Sequence, residues 1–185
     1  MFDRAVLHLD LDAFFVAVER LQQSELCGIP VIIGGSSQRG VVASCSYEAR
    51  KFGVHSAMPM KMALRLCPDA KVVKGDMEAY SRHSRMVTEI IESEAPLFEK
   101  ASIDEFYLDL TGMDRYFGSW KWSKELRQKI IRETGLPISM GLSINKLVSK
   151  VGADVNKPNG EKLVETGREK AFLFPLPISK ITSVG

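Results

Sequence analysis

The first apolar run of the chain alternates. In "AVLHLDL", Leu7, Leu9 and Leu11 fall on one side, and Val6, His8 and Asp10 on the other. A period of two predicts a β-strand. Asp12 then predicts an N-cap for a helix beginning "AFFVAVERL", because a short carboxylate can accept the first free backbone N–H groups. On that helix Phe14, Ala17, Val18 and Leu21 form one apolar stripe. Phe15 lies about 100° away, beside Glu19 and Gln22, so the stripe does not explain it.

Residues 30–75 read as a compact block. "PVIIGG" and "GVVAS" predict two short strands joined by a Gly/Ser turn. "SYEARKFG" predicts a short helix ended by glycine, "MPMKMALRLC" a helix with Pro59 near its start, and "AKVVKG" a further strand. A long helix from about residue 76 to 95 is stopped by Pro96. "LFEKAS" and "EFYLDL" predict a hairpin around Ile103 and Asp104. "SWKWSKELRQKIIRETG" is a helix closed by Gly135, "ISMGLSI" a strand, "NKLVSKVGADV" a helix and "KPNG" a turn; the tail starts helically.

With the 30–75 block set aside, the order is strand, helix, strand, strand, helix, strand. That predicts an α+β fold of the ferredoxin-like β-α-β-β-α-β type, carrying a small α/β insertion. In this topology the first and third strands are antiparallel neighbours. Asp10, at the end of one, then meets Asp104 and Glu105, at the start of the other.

Composition narrows the class without deciding it. The chain has 185 residues, 45% hydrophobic and 26% charged, which suits a folded chain rather than a disordered one. A net charge of +2 neither signals nor excludes nucleic-acid binding. Cys27, Cys45 and Cys67 are odd in number and lack C-x-x-C spacing, so reduced thiols in the cytoplasm are expected. His8, His55 and His83 are too scattered to suggest zinc. No apolar run approaches the ~20 residues of a membrane span, so no membrane partner is expected.

Three converging carboxylates repel one another unless a cation compensates or one takes a proton. Oxygen ligands favour Mg²⁺, with Mn²⁺ able to substitute. Two ions about 3.5–4 Å apart would serve in-line phosphoryl or nucleotidyl transfer. The plain alternative is a polar hairpin tip at "SIDEF" and an edge residue at Asp10. Because neighbouring strand residues point to opposite faces, Asp104 and Glu105 share an ion only if the backbone turns there.

"SYEARKFG" puts Tyr47 and Arg50 on one helical face, with Ser44 just before the helix. Together with Lys157, in the "KPNG" turn, these groups could grip phosphate oxygens. An exposed amphipathic helix and a solvated lysine are the plainer reading. Phe15 is either core or a flat wall against a nucleotide sugar, where it would clash with a ribose 2′-hydroxyl.

"HLDLDAFFVAVE", "GVVASCSYEARKFGV", "ASIDEFYLDLT", "GLSINKLVSKVGADVNKPNG" and "ITSVG" resemble the successive motifs of Y-family translesion DNA polymerases. The resemblance covers essentially the whole chain, in order. It implies a palm (residues 1–20 and 76–166), inserted fingers (21–75) and the start of a truncated thumb (167–185). It implies Asp10, Asp104, Glu105 and the Leu11 carbonyl as ligands of two Mg²⁺ ions. It implies Ser44, Tyr47, Arg50 and Lys157 as triphosphate contacts, and Phe15 as the gate against ribonucleotides. Implied partners are primer-template DNA and deoxynucleoside triphosphates; a sliding clamp is expected only through a missing C-terminal part, and the chain is expected to be a monomer. "SVG" stands where the family has a Pro-Gly-x-Gly turn, so a fragment lacking thumb and little finger is expected. The rival readings are an inert polymerase-like DNA-binding module and a palm-type nucleotide cyclase.

Overall fold

The computed structural model describes residues 4–35, 40–95, 97–115 and 118–181. In chain order the elements are β1 (Val6–Leu11), α1 (Phe14–Gln22), β2 (Val31–Gly34), β3 (Val42–Cys45), α2 (Tyr47–Arg50), α3 (Met60–Leu66), β4 (Lys71–Val73) and α4 (Met77–Glu94). There follow β5 (Phe98–Lys100), β6 (Glu105–Asp109), α5 (Ser119–Thr134), β7 (Ile138–Ser143), α6 (Lys146–Val155), β8 (Glu161–Leu163) and α7 (Glu169–Leu173). The chain divides into two compact units, one made of Met1–Asp12 with Ser84–Gly185, the other of Ala13–His83. The division drawn from sequence breaks instead after residues 20, 75 and 166.

The first unit is built on a five-stranded sheet, ordered β5-β6-β1-β7-β8. Its first four strands have the order of the ferredoxin-like arrangement. β1 lies antiparallel to both β6 and β7. Leu9 stands opposite Phe106 on one side and Met140 on the other; Leu7 stands opposite Leu108 and Leu142. All of these side chains are buried. The opposite face of β1, carrying Val6, His8 and Asp10, is also buried, because α6 packs over β7 and β1.

Gly141 permits that packing. A Cβ there would meet the Ser149 carbonyl oxygen at 2.0 Å and the Ala153 nitrogen at 2.6 Å. Ser149 Oγ donates to the Val6 carbonyl at 2.7 Å, which ties the helix to the strand. Asn145 caps α6, its Oδ1 accepting the Val148 N–H at 2.9 Å. β8 runs parallel to β7 as a fifth strand. Its three residues, "EKL", carry too little alternation to be read from sequence.

The second unit has a three-stranded sheet ordered β3-β2-β4, with a core around Ile32, Val42, Ala49, Met60 and Ala63. Helix α1 packs against β2 and β3. Its buried positions are Phe14, Val16, Val18 and Glu19, whereas Leu21 is 46% exposed. The predicted stripe is therefore corrected: a buried hydrogen-bond partner for Glu19 draws that side of the helix inward.

The Pro96 stop, residues 36–39 of the Gly/Ser turn and the closing "SVG" lie outside the described residues. Cys27, Cys45 and Cys67 are free thiols. Among the described residues no helix is long and apolar enough to cross a membrane.

Gly141→Ala should destabilise the chain by about 3 kcal/mol, the upper range for overpacking a close contact. Denaturant unfolding monitored by circular dichroism measures it, with Gly152→Ala, which meets nothing closer than 3.5 Å, as the milder comparison.

Candidate functional site

The β1–β6 register places Asp10 directly opposite Glu105. Antiparallel partners share a face, so His8, two residues back, joins them. Ligand-capable atoms of His8, Asp10 and Glu105 all lie within 4.8 Å of one another. The Leu11 N–H donates to the Asp104 carbonyl at 3.0 Å, which brings the backbone of Leu11 and Asp104 to the same sheet end. The Asp104 carboxylate, however, accepts the Ser102 hydroxyl at 2.6 Å. Asp104 precedes β6 in a bend, and Ser102 Oγ also accepts the N–H groups of Asp104 and Glu105 at 3.3 and 3.1 Å. Of the three predicted acids, the structure joins the carboxylates of Asp10 and Glu105.

Two ammonium groups balance this pair. Lys157 Nζ sits 2.5 Å from Asp10 Oδ2 and 2.9 Å from Asp154 Oδ1. Lys150 Nζ contacts both oxygens of Glu105. Burial pushes the Asp10 carboxyl up to about 7, against the pull of Lys157 and with the push of Glu105 and Asp154. The His8 imidazole beside it, and then Lys150, hold Glu105 down to about 2. Burial works to release the Lys157 proton, but Asp10 and Asp154 hold that ammonium above its ordinary value. His8 is wholly buried, and burial depresses its pKa against the pull of Glu105. Its Nε2 is 3.7 Å from Glu105 Oε2, beyond hydrogen-bond length.

Asp12 is not the N-cap. That position belongs to Ala13, at φ 44°, whose own side chain makes no capping bond. Asp12 is buried and accepts the Ser139 hydroxyl at 2.9 and 2.8 Å and the Asn159 N–H at 2.7 Å. Arg127, also buried, donates to the carbonyls of Ile138 (2.7 Å) and Asn159 (3.1 Å) and to Glu161 (2.8 Å). Both groups clamp the turn that carries Lys157. Lys150, Asp154 and Arg127 escaped the sequence reading, which placed His8 on the Asp10 face without a role at the site. The spacing Lys150–Asp154, four residues, was a legible signal for one charged helix face, with Lys157 just beyond the helix end.

In the second unit Phe15 is half-buried and stacks on Tyr80, with ring centroids 4.2 Å apart and planes 9° apart. Tyr80 is fully buried and its hydroxyl donates to Glu19 Oε1 at 2.5 Å. Burial, and then Glu19, hold that phenol above its ordinary pKa. Tyr80 thus backs one face of the Phe15 ring and fixes its tilt. Ser44 lies on β3; Tyr47 and Arg50 lie on α2, with the guanidinium 4.6 Å from the Tyr47 ring centroid. Ser46 is the residue that caps α2, accepting the Ala49 N–H at 3.2 Å.

Residues 9–154 match the model of the impB/mucB/samB family. The chain belongs to that family. It is 44% identical over 184 residues to a DNA polymerase IV from Treponema denticola, covering 99% of this chain and 47% of that protein. It is 43% identical to a DNA polymerase IV from Listeria innocua, covering 98% of this chain and 52% of that one. The chain therefore spans about half the length of the curated relatives it matches. Among solved structures, DinB from Sulfolobus solfataricus superposes with a TM-score of 0.90 at 31% identity, over 98% of this chain and 54% of that chain. An insertion ternary complex of Dbh DNA polymerase superposes at 0.88, also at 31% identity, with the same two coverages. The family's structures thus bear out the α+β, ferredoxin-like reading.

Glu105 titrates at about 2 in the folded chain against an ordinary 4.5. The folded state binds fewer protons between those values, so stability rises with pH across that window and is complete above it. In metal-free buffer Glu105→Gln should cost about 2 kcal/mol at pH 7. Denaturant unfolding should show the deficit shrinking as pH falls from 4.5 toward 2.

Proposed function

We propose that this chain is the catalytic palm and fingers portion of a template-directed, translesion-type DNA polymerase. The observation that carries the reading is the Asp10–Glu105 pair, opposed across two strands and matched by two ammonium groups. Family membership, and relatives named DNA polymerase IV, support it. Residues 1–20 and 76–166 serve as palm, 21–75 as fingers, and 167–185 open a thumb.

The donor set fits a hard divalent cation. Two carboxylates this close leave a negative charge that two lysines now balance and that one or two dications would balance better. Asp10, Glu105, the Leu11 carbonyl and Asp104, turned away from Ser102, would hold two Mg²⁺ ions, with Mn²⁺ as a substitute. Bound there, such ions supply a lowered hydroxyl pKa and neutralise charge on the departing phosphates. The primer 3′-hydroxyl would lose its proton to solvent, its oxygen bonding to the α-phosphorus as the bridging bond to the β-phosphate breaks and pyrophosphate leaves.

The chain's own residues bind and orient. Arg50 grips phosphate oxygens bidentately, Tyr47 and Ser44 donate hydroxyls, and Lys157 adds an ammonium. Phe15 excludes a 2′-hydroxyl because Tyr80 behind it prevents the ring from tilting away. Primer-template DNA and deoxynucleoside triphosphates are the substrates. The chain acts as a monomer in the cytoplasm, and a sliding clamp engages through other parts of the whole polymerase.

A crystal soaked with Mn²⁺ and dATP tests the reading. Anomalous signal is expected at the Asp10 and Glu105 oxygens, with phosphates against Arg50 and Lys157. No ion at that pair of acids would sink the polymerase assignment. Phe15→Ala should reduce discrimination against ribonucleotides by about 100-fold in primer extension, the worth of one steric contact in a fitted pocket. Undiminished discrimination would remove the gate role.

A further inference from the structure

Lys150 has no part in the site as read from sequence, yet it is the closest group to Glu105. Its ammonium contacts both carboxylate oxygens. Side chains of the pair are only 20% and 25% exposed, so water screens the contact weakly. An ion that needs a Glu105 oxygen must therefore meet this ammonium first.

The helix that carries Lys150 is tied closely to the sheet. Ser149, its neighbour, is bonded to the Val6 carbonyl at 2.7 Å. The seat at Gly141 leaves no slack, since even a methyl group would meet the Ser149 carbonyl at 2.0 Å. Only the four-carbon stem of Lys150 is free to swing. The backbone is fixed while the charged tip is exchangeable.

We propose that Lys150 is a positioning residue that holds Glu105 in place as a cation surrogate, and that a divalent ion binds there by displacing its ammonium. This rests on the reading of Asp10 and Glu105 as metal ligands. The exchange keeps Glu105 in contact with a cation throughout, so its carboxylate is not left bare between ions. It also makes the ion's own affinity low while no anion is present, because the displaced ammonium stays close to the dication. An incoming polyphosphate relieves that repulsion by taking the ammonium, so ion and nucleotide favour each other reciprocally.

Mn²⁺ binding to the chain alone, followed by the electron paramagnetic resonance of free Mn²⁺, provides the test. Lys150→Met removes the competing charge and should tighten Mn²⁺ binding at least about ten-fold, a modest figure for one unit charge near a dication. Lys150→Arg, which keeps the charge, should stay close to the unaltered chain. Thermal unfolding adds an independent readout: Lys150→Met should melt lower than the unaltered chain in EDTA and recover in saturating Mn²⁺. A merely structural lysine would leave equal deficits in both buffers. If Lys150→Met does not fold, Lys150→Gln carries the same expectation. Unchanged or weaker Mn²⁺ binding in a folded, neutral variant overturns the exchange. Adding Glu105→Gln to Lys150→Met separates the two ideas: lost binding upholds the metal site even if the exchange fails, whereas undiminished binding overturns the metal site itself.

Discussion

Everything at the site depends on the register of β1 between β6 and β7. Burying Leu7 and Leu9 against Phe106, Leu108, Met140 and Leu142 fixes that register, because a slip of one residue would turn every side chain to the other face. Each buried leucine is worth roughly 2 kcal/mol. Once those pairs are set, alternation leaves Asp10 facing Glu105. Hydrophobic burial therefore forces two carboxylates together that would otherwise separate.

Helix α6 answers the resulting charge. It is seated by Gly141, capped by Asn145 and bonded to β1 through Ser149. From that rigid base it extends Lys150 to Glu105, and the turn beyond it extends Lys157 to Asp10. Asp12 and Arg127 hold that turn from two sides through its backbone. Buried polar groups cost little when each finds a partner, and these partners all serve to place one ammonium. Fixed backbones with long flexible stems are what a site needs if its compensating charges are to be exchanged rather than merely stored.

The second unit shows the same economy with rings. Glu19 and Tyr80 are buried, and each would be costly alone. Bonded at 2.5 Å they satisfy one another and lock the plane on which Phe15 stacks. A half-buried aromatic thereby acquires a defined orientation that helix geometry alone does not impose.

Local periodicity determined a good deal by itself. Alternation marked β1, Gly135 and Pro59 marked helix ends, and the order of elements predicted the four-strand ferredoxin-like sheet and the meeting of Asp10 with Glu105. These follow from short-range sterics and from the need to bury one face, both of which are written into neighbouring residues. The partner of each polar group was decided only by the tertiary structure. Asp12 has the ideal local pattern for an N-cap, yet Ser139 and Asn159 claim it. Asp104 reads like its neighbour Glu105, yet a bend hands its carboxylate to Ser102. Leu21 belongs to an apolar stripe, yet Glu19 is buried in preference because Tyr80 waits for it. A hydrogen bond or ion pair is settled by whichever group arrives within reach, often more than a hundred residues away along the chain, and no local pattern carries that information.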